Sequence, residues 1–153
     1  MMNRMHINGF FLLGISVRTT NQDGQAAKDI EELWCRFMDN NILTRIVDRT
    51  GDEVYCVYTD YETDHTGPYT AILGCRVNSL DNIPVGLVSH VVSPGTYVKY
   101  TAKSWLPNRV GQTWQHIWDT CRNRQYIADF DVYGIKAHNP ESARVEIYVG
   151  VAR

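Results

Sequence analysis

Over residues 9–18, Phe11, Leu13, Ile15 and Val17 fall on one face by alternation, so the spacing predicts a strand there. Over 25–40 the period changes to three and four. Ala26, Ile30, Leu33, Trp34 and Phe37 make one helical stripe, and Asp23 stands where a helix cap is expected. Strands are expected at 54–61 and 69–77, joined by a connection that contains Gly67-Pro68. Two further strand pieces, 87–92 and 97–103, are split by Pro94-Gly95. A second helix follows Pro107 and runs to about Cys121, with Val110, Trp114, Ile117 and Trp118 on its stripe and Arg122 and Arg124 at its C-terminal end. The last strands are expected at 127–135 and 144–151.

In chain order this reads strand, helix, strand, strand, twice over. The expected fold is therefore α+β. It comprises two βαββ modules, about 8–78 and 87–152, which pair into an antiparallel sheet with two helices and a central ligand cleft. All of 1–153 is expected to form one domain, since a chain of 153 residues supports one good core.

Composition narrows the function. A net charge of −2 argues against direct nucleic-acid binding. No apolar run approaches the ~20 residues of a membrane span. The short run at 9–17 lacks a cleavage signature, so it reads as a core strand rather than a signal sequence. Cys35, Cys56, Cys75 and Cys121 show no CxxC spacing and read as small buried residues, which suits a reducing cytoplasm. The five histidines have no metal-ligand spacing, and there is no phosphate loop or nucleophile elbow, so no metal, cofactor or catalytic residue is assigned. Nine tyrosines and four tryptophans, rich for this length, favour a lined cavity.

The candidate chemistry sits in the last two strands. In Phe130-Asp131-Val132-Tyr133 and in Val145-Glu146-Ile147-Tyr148-Val149 an acid and a tyrosine lie two residues apart, hence on one face of each strand. A carboxylate beside aromatic rings suits a hydrophobic cation. Glu146 interrupts a segment otherwise suited to burial, although Arg144 on the same face is equally consistent with a solvated edge. Asp129 is expected to be exposed, and Asp131 is open between exposure and the pocket. Trp34, Trp114 and Trp118 lie on helical stripes, where core packing is the default. Trp105 precedes the second helix and can rim a cleft, and some of Tyr58, Tyr61 and Tyr97 must face inward.

Several of these segments together resemble the GyrI-like effector-binding domains, the group that includes the drug-binding halves of AraC-type and MerR-type regulators and the small DNA gyrase inhibitory protein. The resemblance rests on Gly14 in the first strand, Leu33-Trp34-x-x-Phe37, Val57-Tyr58-Thr59-Asp60-Tyr61, Gly95-Thr96-Tyr97 and the two acid-bearing strands. It spans nearly the whole chain and is greatest with the stand-alone subgroup encoded by integron gene cassettes. It implies two strand-helix-strand-strand modules around a cleft that takes amphipathic, often cationic, organic compounds. The family's two cleft acids fall on Asp131 and Glu146, with Tyr133 and Tyr148 beside them. Asp131 is one methylene shorter than the family's glutamate, so the main charge role is expected at Glu146.

The expected ligand contacts are Glu146, Tyr148, Asp131, Tyr133, Tyr58, Tyr97, Trp105 and Trp118. The expected function is binding of a hydrophobic cationic molecule linked to transcription regulation or drug sensing, with a separate DNA-binding protein as a partner. The alternative is a hydrolase with Glu146 as base and Tyr148 as proton donor. A protein-inhibiting domain ranks third.

Overall fold

The computed structural model describes residues 4–103, 108–121, 123–134 and 144–152. Its strands are β1 Arg4–Ile7, β2 Phe10–Thr19, β3 Val54–Thr59, β4 Tyr69–Val77, β5 Val88–Val92, β6 Gly95–Lys103, β7 Arg124–Tyr133 and β8 Arg144–Val151. The helices among the described residues are α1 Gln25–Asp39, a single turn α2 Ile42–Arg45, and α3 Asn108–Thr120. None is long and apolar enough to cross a membrane.

The strands form one antiparallel sheet in the order β1-β6-β8-β7-β3-β4-β2-β5. The fold class is thus α+β. Strands β5 and β6 are six positions apart in this order, ~29 Å if the sheet were flat. Only Ser93 and Pro94 join them, and three Cα–Cα steps span at most ~11 Å. The sheet must therefore curl until its edges approach, and the helix-free face turns inward.

That curl explains a core that alternation on one face does not anticipate. Phe10 and Leu12 of β2 are buried on the inward face with Val57, Ile72, Val92, Tyr97 and Phe130, whereas Phe11, expected in the core, is 39 % exposed. On the helix-bearing face, α1 lays Ala26, Leu33 and Phe37 over Leu13, Ile15, Leu73 and Cys75. Ile117 of α3 packs on Val98, Ala102, Val145, Ile147 and Val149. Each such fully buried aliphatic side chain stabilises the fold by about 1.5–3 kcal/mol. Trp114 touches both helix-side clusters and so stands at their junction.

Some expectations change. The strand β1 and the turn α2 were not anticipated. The two pieces around Pro94 are separate strands at opposite sides of the sheet rather than one interrupted strand. Asp23 does not cap α1. It sits in a short 3-10 turn with φ 55°, and Gly24 takes the cap position with no side-chain hydrogen bond. Cys35 is exposed, because it lies off the apolar stripe of α1, while Cys56 and Cys75 are buried, and none of the four cysteines is in a disulfide.

Candidate functional site

Strands β3 and β7 pair at the middle of the sheet, with Cys56 opposite Asp131 and Tyr58 opposite Asp129. Directly opposed residues share a face. Asp129 and Asp131 therefore both point to the helix side.

Asp131 is fully buried. Tyr58 Oη donates to its Oδ2 at 2.6 Å, Trp114 Nε1 to its Oδ1 at 3.0 Å, and Tyr133 Oη to Oδ2 at 3.3 Å. Burial pushes its pKa up to about 7, although those three hydrogen bonds pull the other way. The two neighbouring phenols, Tyr58 and Tyr133, are pushed well above their ordinary value, chiefly by burial and then by Asp131. They remain donors. A carboxyl with its pKa near neutrality, ringed by donors, is a latent counter-charge: a cation brought close favours its ionised form.

In front of this group lies a cavity of about 180 Å³. Its walls include Ala26, Ala27 and Ile30 of α1, Trp114 and Trp118 of α3, Tyr58 of β3, Tyr61, Tyr69, His65 and Arg124. Tyr58 and Trp114 both line the cavity and both bind Asp131, so the carboxyl stands immediately behind that wall. The rings support one another: Trp114 meets Tyr58 edge to face at 5.4 Å, Tyr61 stacks on Tyr69 at 5.5 Å, and His65 stacks on Trp118 at 5.5 Å. Burial, followed by the charge of Arg124, lowers the pKa of His65, so it is neutral at pH 7.

The second acid on this face has its own partners. Asp129, expected to be exposed, is fully buried. It accepts from Arg124 Nη2 at 2.8 Å, from the Gly150 amide at 2.8 Å, and from the Tyr61 hydroxyl. Arg124 does not serve the end of α3. It opens β7, where a bulge shifts the β7–β8 register between residues 124 and 129. In a regular strand residues five apart face opposite ways. The bulge, with Tyr126 at φ 56°, brings Arg124 round to Asp129. Its guanidinium also lies 4.4 Å above the Tyr126 ring and 5.6 Å from that of Trp114.

Glu146 and Tyr148 are elsewhere. On β8, Ile147 opposes Asp131 and Glu146 opposes Val132, so these two residues look out of the other face. Glu146 is about one-third exposed, pairs with Lys99 Nζ at 3.3 Å, and accepts from Tyr148 Oη at 3.0 Å. Tyr148 stacks on Phe130 at 4.9 Å, and Tyr97 packs edge to face on that same ring at 5.4 Å. The expected ligand set thus divides. Tyr58 and Trp118 line the helix-side cavity, with Asp131 behind Tyr58 and Tyr133 hydrogen-bonded to Asp131, whereas Glu146, Tyr148 and Tyr97 lie on the inward-curled face. Trp105 lies outside the described residues. An acid and a tyrosine two apart define a face within one strand but not across two; register decides that. Asp129, Arg124, Tyr61, Tyr69, Trp114 and His65 join the site unassigned.

The family model for integron-associated effector binding proteins matches residues 6–151. The chain belongs to that family. An integron cassette protein from the mobile metagenome of Vibrio cholerae is 31 % identical in sequence and superposes with a TM-score of 0.77, covering 99 % of this chain and 95 % of that one. YobU of Bacillus subtilis (strain 168), named as a candidate transcriptional regulator, is 27 % identical over 146 residues, which is 92 % of this chain and 91 % of YobU. The structure of SAV2435 bound to tetraphenylphosphonium shares the fold at TM-score 0.82 and 17 % identity, covering 99 % and 94 % of the two chains.

Proposed function

We propose that this effector-binding protein takes a hydrophobic organic cation into the cavity between α1 and α3, with Asp131 as its counter-charge, and that occupancy is read out in transcription regulation or drug sensing. This reading is carried by a fully buried carboxyl held behind two aromatic wall residues. It is supported by the family membership, by the regulator-type name of YobU, and by a structure of the same fold that holds tetraphenylphosphonium. A separate DNA-binding protein is the partner of this reading, and the cytoplasm is its compartment, in keeping with four cysteines outside any disulfide. The whole chain acts as one domain made of two strand-helix-strand-strand modules. The sheet order supports this, because β7-β8-β6 mirrors β3-β4-β2 about the central β3–β7 pair.

The site is non-enzymatic in this reading. The acid and tyrosine of the hydrolase alternative, Glu146 and Tyr148, are on the face away from the cavity, and Glu146 is already paired with Lys99.

The test is quenching of tryptophan emission by 1-methylquinolinium and by its uncharged counterpart 1-methylnaphthalene. The expected result is that Asp131→Asn lowers the cation's affinity at least ~10-fold at pH 8 and leaves the hydrocarbon's unchanged, while Glu146→Gln changes neither. Equal cation binding by wild type and Asp131→Asn removes the assigned charge role.

A further inference from the structure

Arg124 raises a question that the cation reading alone leaves unanswered. A cavity built for a cation has a positive charge of its own in the wall. The side chain of Arg124 is 2 % exposed, yet Nε and Nη1 have no hydrogen-bond partner among the described residues. Only Nη2 is used, on Asp129. A guanidinium carries five N–H donors, one on Nε and two on each Nη, so three belong to nitrogens without a partner. Buried donors of a charged group are costly to leave unmade, and native structures rarely do so without a reason.

The guanidinium cannot shed its charge to escape that cost. Burial opposes the charge, but Asp129 and the neighbouring tyrosine Tyr61 outweigh burial and hold the proton on. Its position is also fixed. Asp129 anchors one end, the Tyr126 ring underlies its plane, and the bulge in β7 sets the backbone. The fixed donors thus belong to a residue of the cavity wall, which also includes apolar side chains of α1.

We propose that the ligand of this cavity is an aromatic cation that also bears an oxygen acceptor, a carboxylate or a carbonyl, and that Arg124 binds that oxygen through Nε–H and Nη1–H. This rests on the cavity being the ligand site and adds the class of ligand. The positive centre lies toward Tyr58 and Trp114, behind which stands Asp131. The acceptor lies toward Arg124. Asp129 cancels one unit of the arginine's charge, so the site as a whole suits a zwitterion or a polar cation better than a simple anion. A bare lipophilic cation would fill the same space and leave the three donors unmet.

The experiment compares two probes that differ only in the acceptor, 1-methylquinolinium and 4-carboxy-1-methylquinolinium, by calorimetric titration at pH 8. Wild type is expected to bind the carboxylated probe at least ~10-fold more tightly. The double variant Arg124→Met/Asp129→Asn, which removes the pair together and leaves no unpaired buried charge, is expected to bind the two probes within ~2-fold of each other. Equal affinities in wild type, or tighter binding of the plain cation, overturn the inference and leave the cavity reading standing. A preference that survives in the double variant also overturns it, since another group would then be reading the oxygen. If neither probe binds at millimolar concentration, the cavity reading fails and this inference with it.

Discussion

At the scale of single residues, the two buried acids divide the work. Asp129 is satisfied by a guanidinium, a backbone amide and a phenol, and is in effect part of the framework. Asp131 has only neutral donors around it, so it alone is left to respond to charge. That difference predicts a pH signature of stability. The carboxyl's pKa is about 7 when folded, above its ordinary 3.8. The native state therefore binds this proton where the unfolded chain has already lost it. The contribution is fully present below pH ~4 and is lost as pH rises to about 7, at most roughly 4 kcal/mol in all. Denaturant melts of wild type and Asp131→Asn between pH 4 and 8 should show their stability difference changing in that window. By pH 8 the asparagine variant should be as stable as wild type or more so. A pH-independent difference would mean that Asp131 is ionised throughout.

At the scale of elements, the sheet's curvature positions everything else. Gly14 of β2 faces Gly74 of β4 across the sheet. A Cβ added at Gly74 would fall 2.2 Å from the Leu13 carbonyl oxygen and 2.8 Å from Gly14 Cα, both backbone atoms that cannot swing aside. Gly74→Ala is thus expected to destabilise the protein by ~2 kcal/mol or more, measured by chemical denaturation. A loss below ~0.5 kcal/mol would show that the strands can separate there at little cost.

Much at this scale was legible in sequence. The alternation at 144–151 and the stripe of α1 were legible from spacing, and the strand at 69–77 from the Gly67-Pro68 break before it, because such segments carry their own signal. What alternation could not supply was the pairing of strands distant in the chain. Which face Glu146 shares with Asp131 depends on the β7–β8 register, and that register has a bulge in it. The burial of Asp129 by Arg124 was hidden for the same reason. The burial of Phe10 and Leu12 was not anticipated because a curled sheet buries both of its faces, which leaves no polar side in the pattern. In β7 the acid and the tyrosine two residues apart share a face and a hydrogen bond. The pair's twin in β8 is the same motif turned to the other face.

At the scale of the whole molecule, α1 and α3 cover two lobes of one face, and the cavity opens at the line where they meet, above the central β3–β7 pair. Its volume of about 180 Å³ lies below the usual range for drug-sized ligands and suits a molecule of about two fused rings. Trp114 links the two lobes and also holds Asp131. Any ligand that ionises Asp131 therefore acts on the junction between lobes, which is where a binding event has leverage on the rest of the fold. The central claim is that cation binding and loss of the Asp131 proton are one event. The direct measurement is calorimetric titration of 1-methylquinolinium between pH 5 and 8 in buffers of different ionisation enthalpy, for wild type and Asp131→Asn. The account predicts that wild type releases close to one proton on binding at pH 6, that its affinity rises with pH and levels off above about 7, and that both effects vanish in Asp131→Asn. Proton release and pH dependence that are absent in wild type, or that persist unchanged in Asp131→Asn, would contradict it.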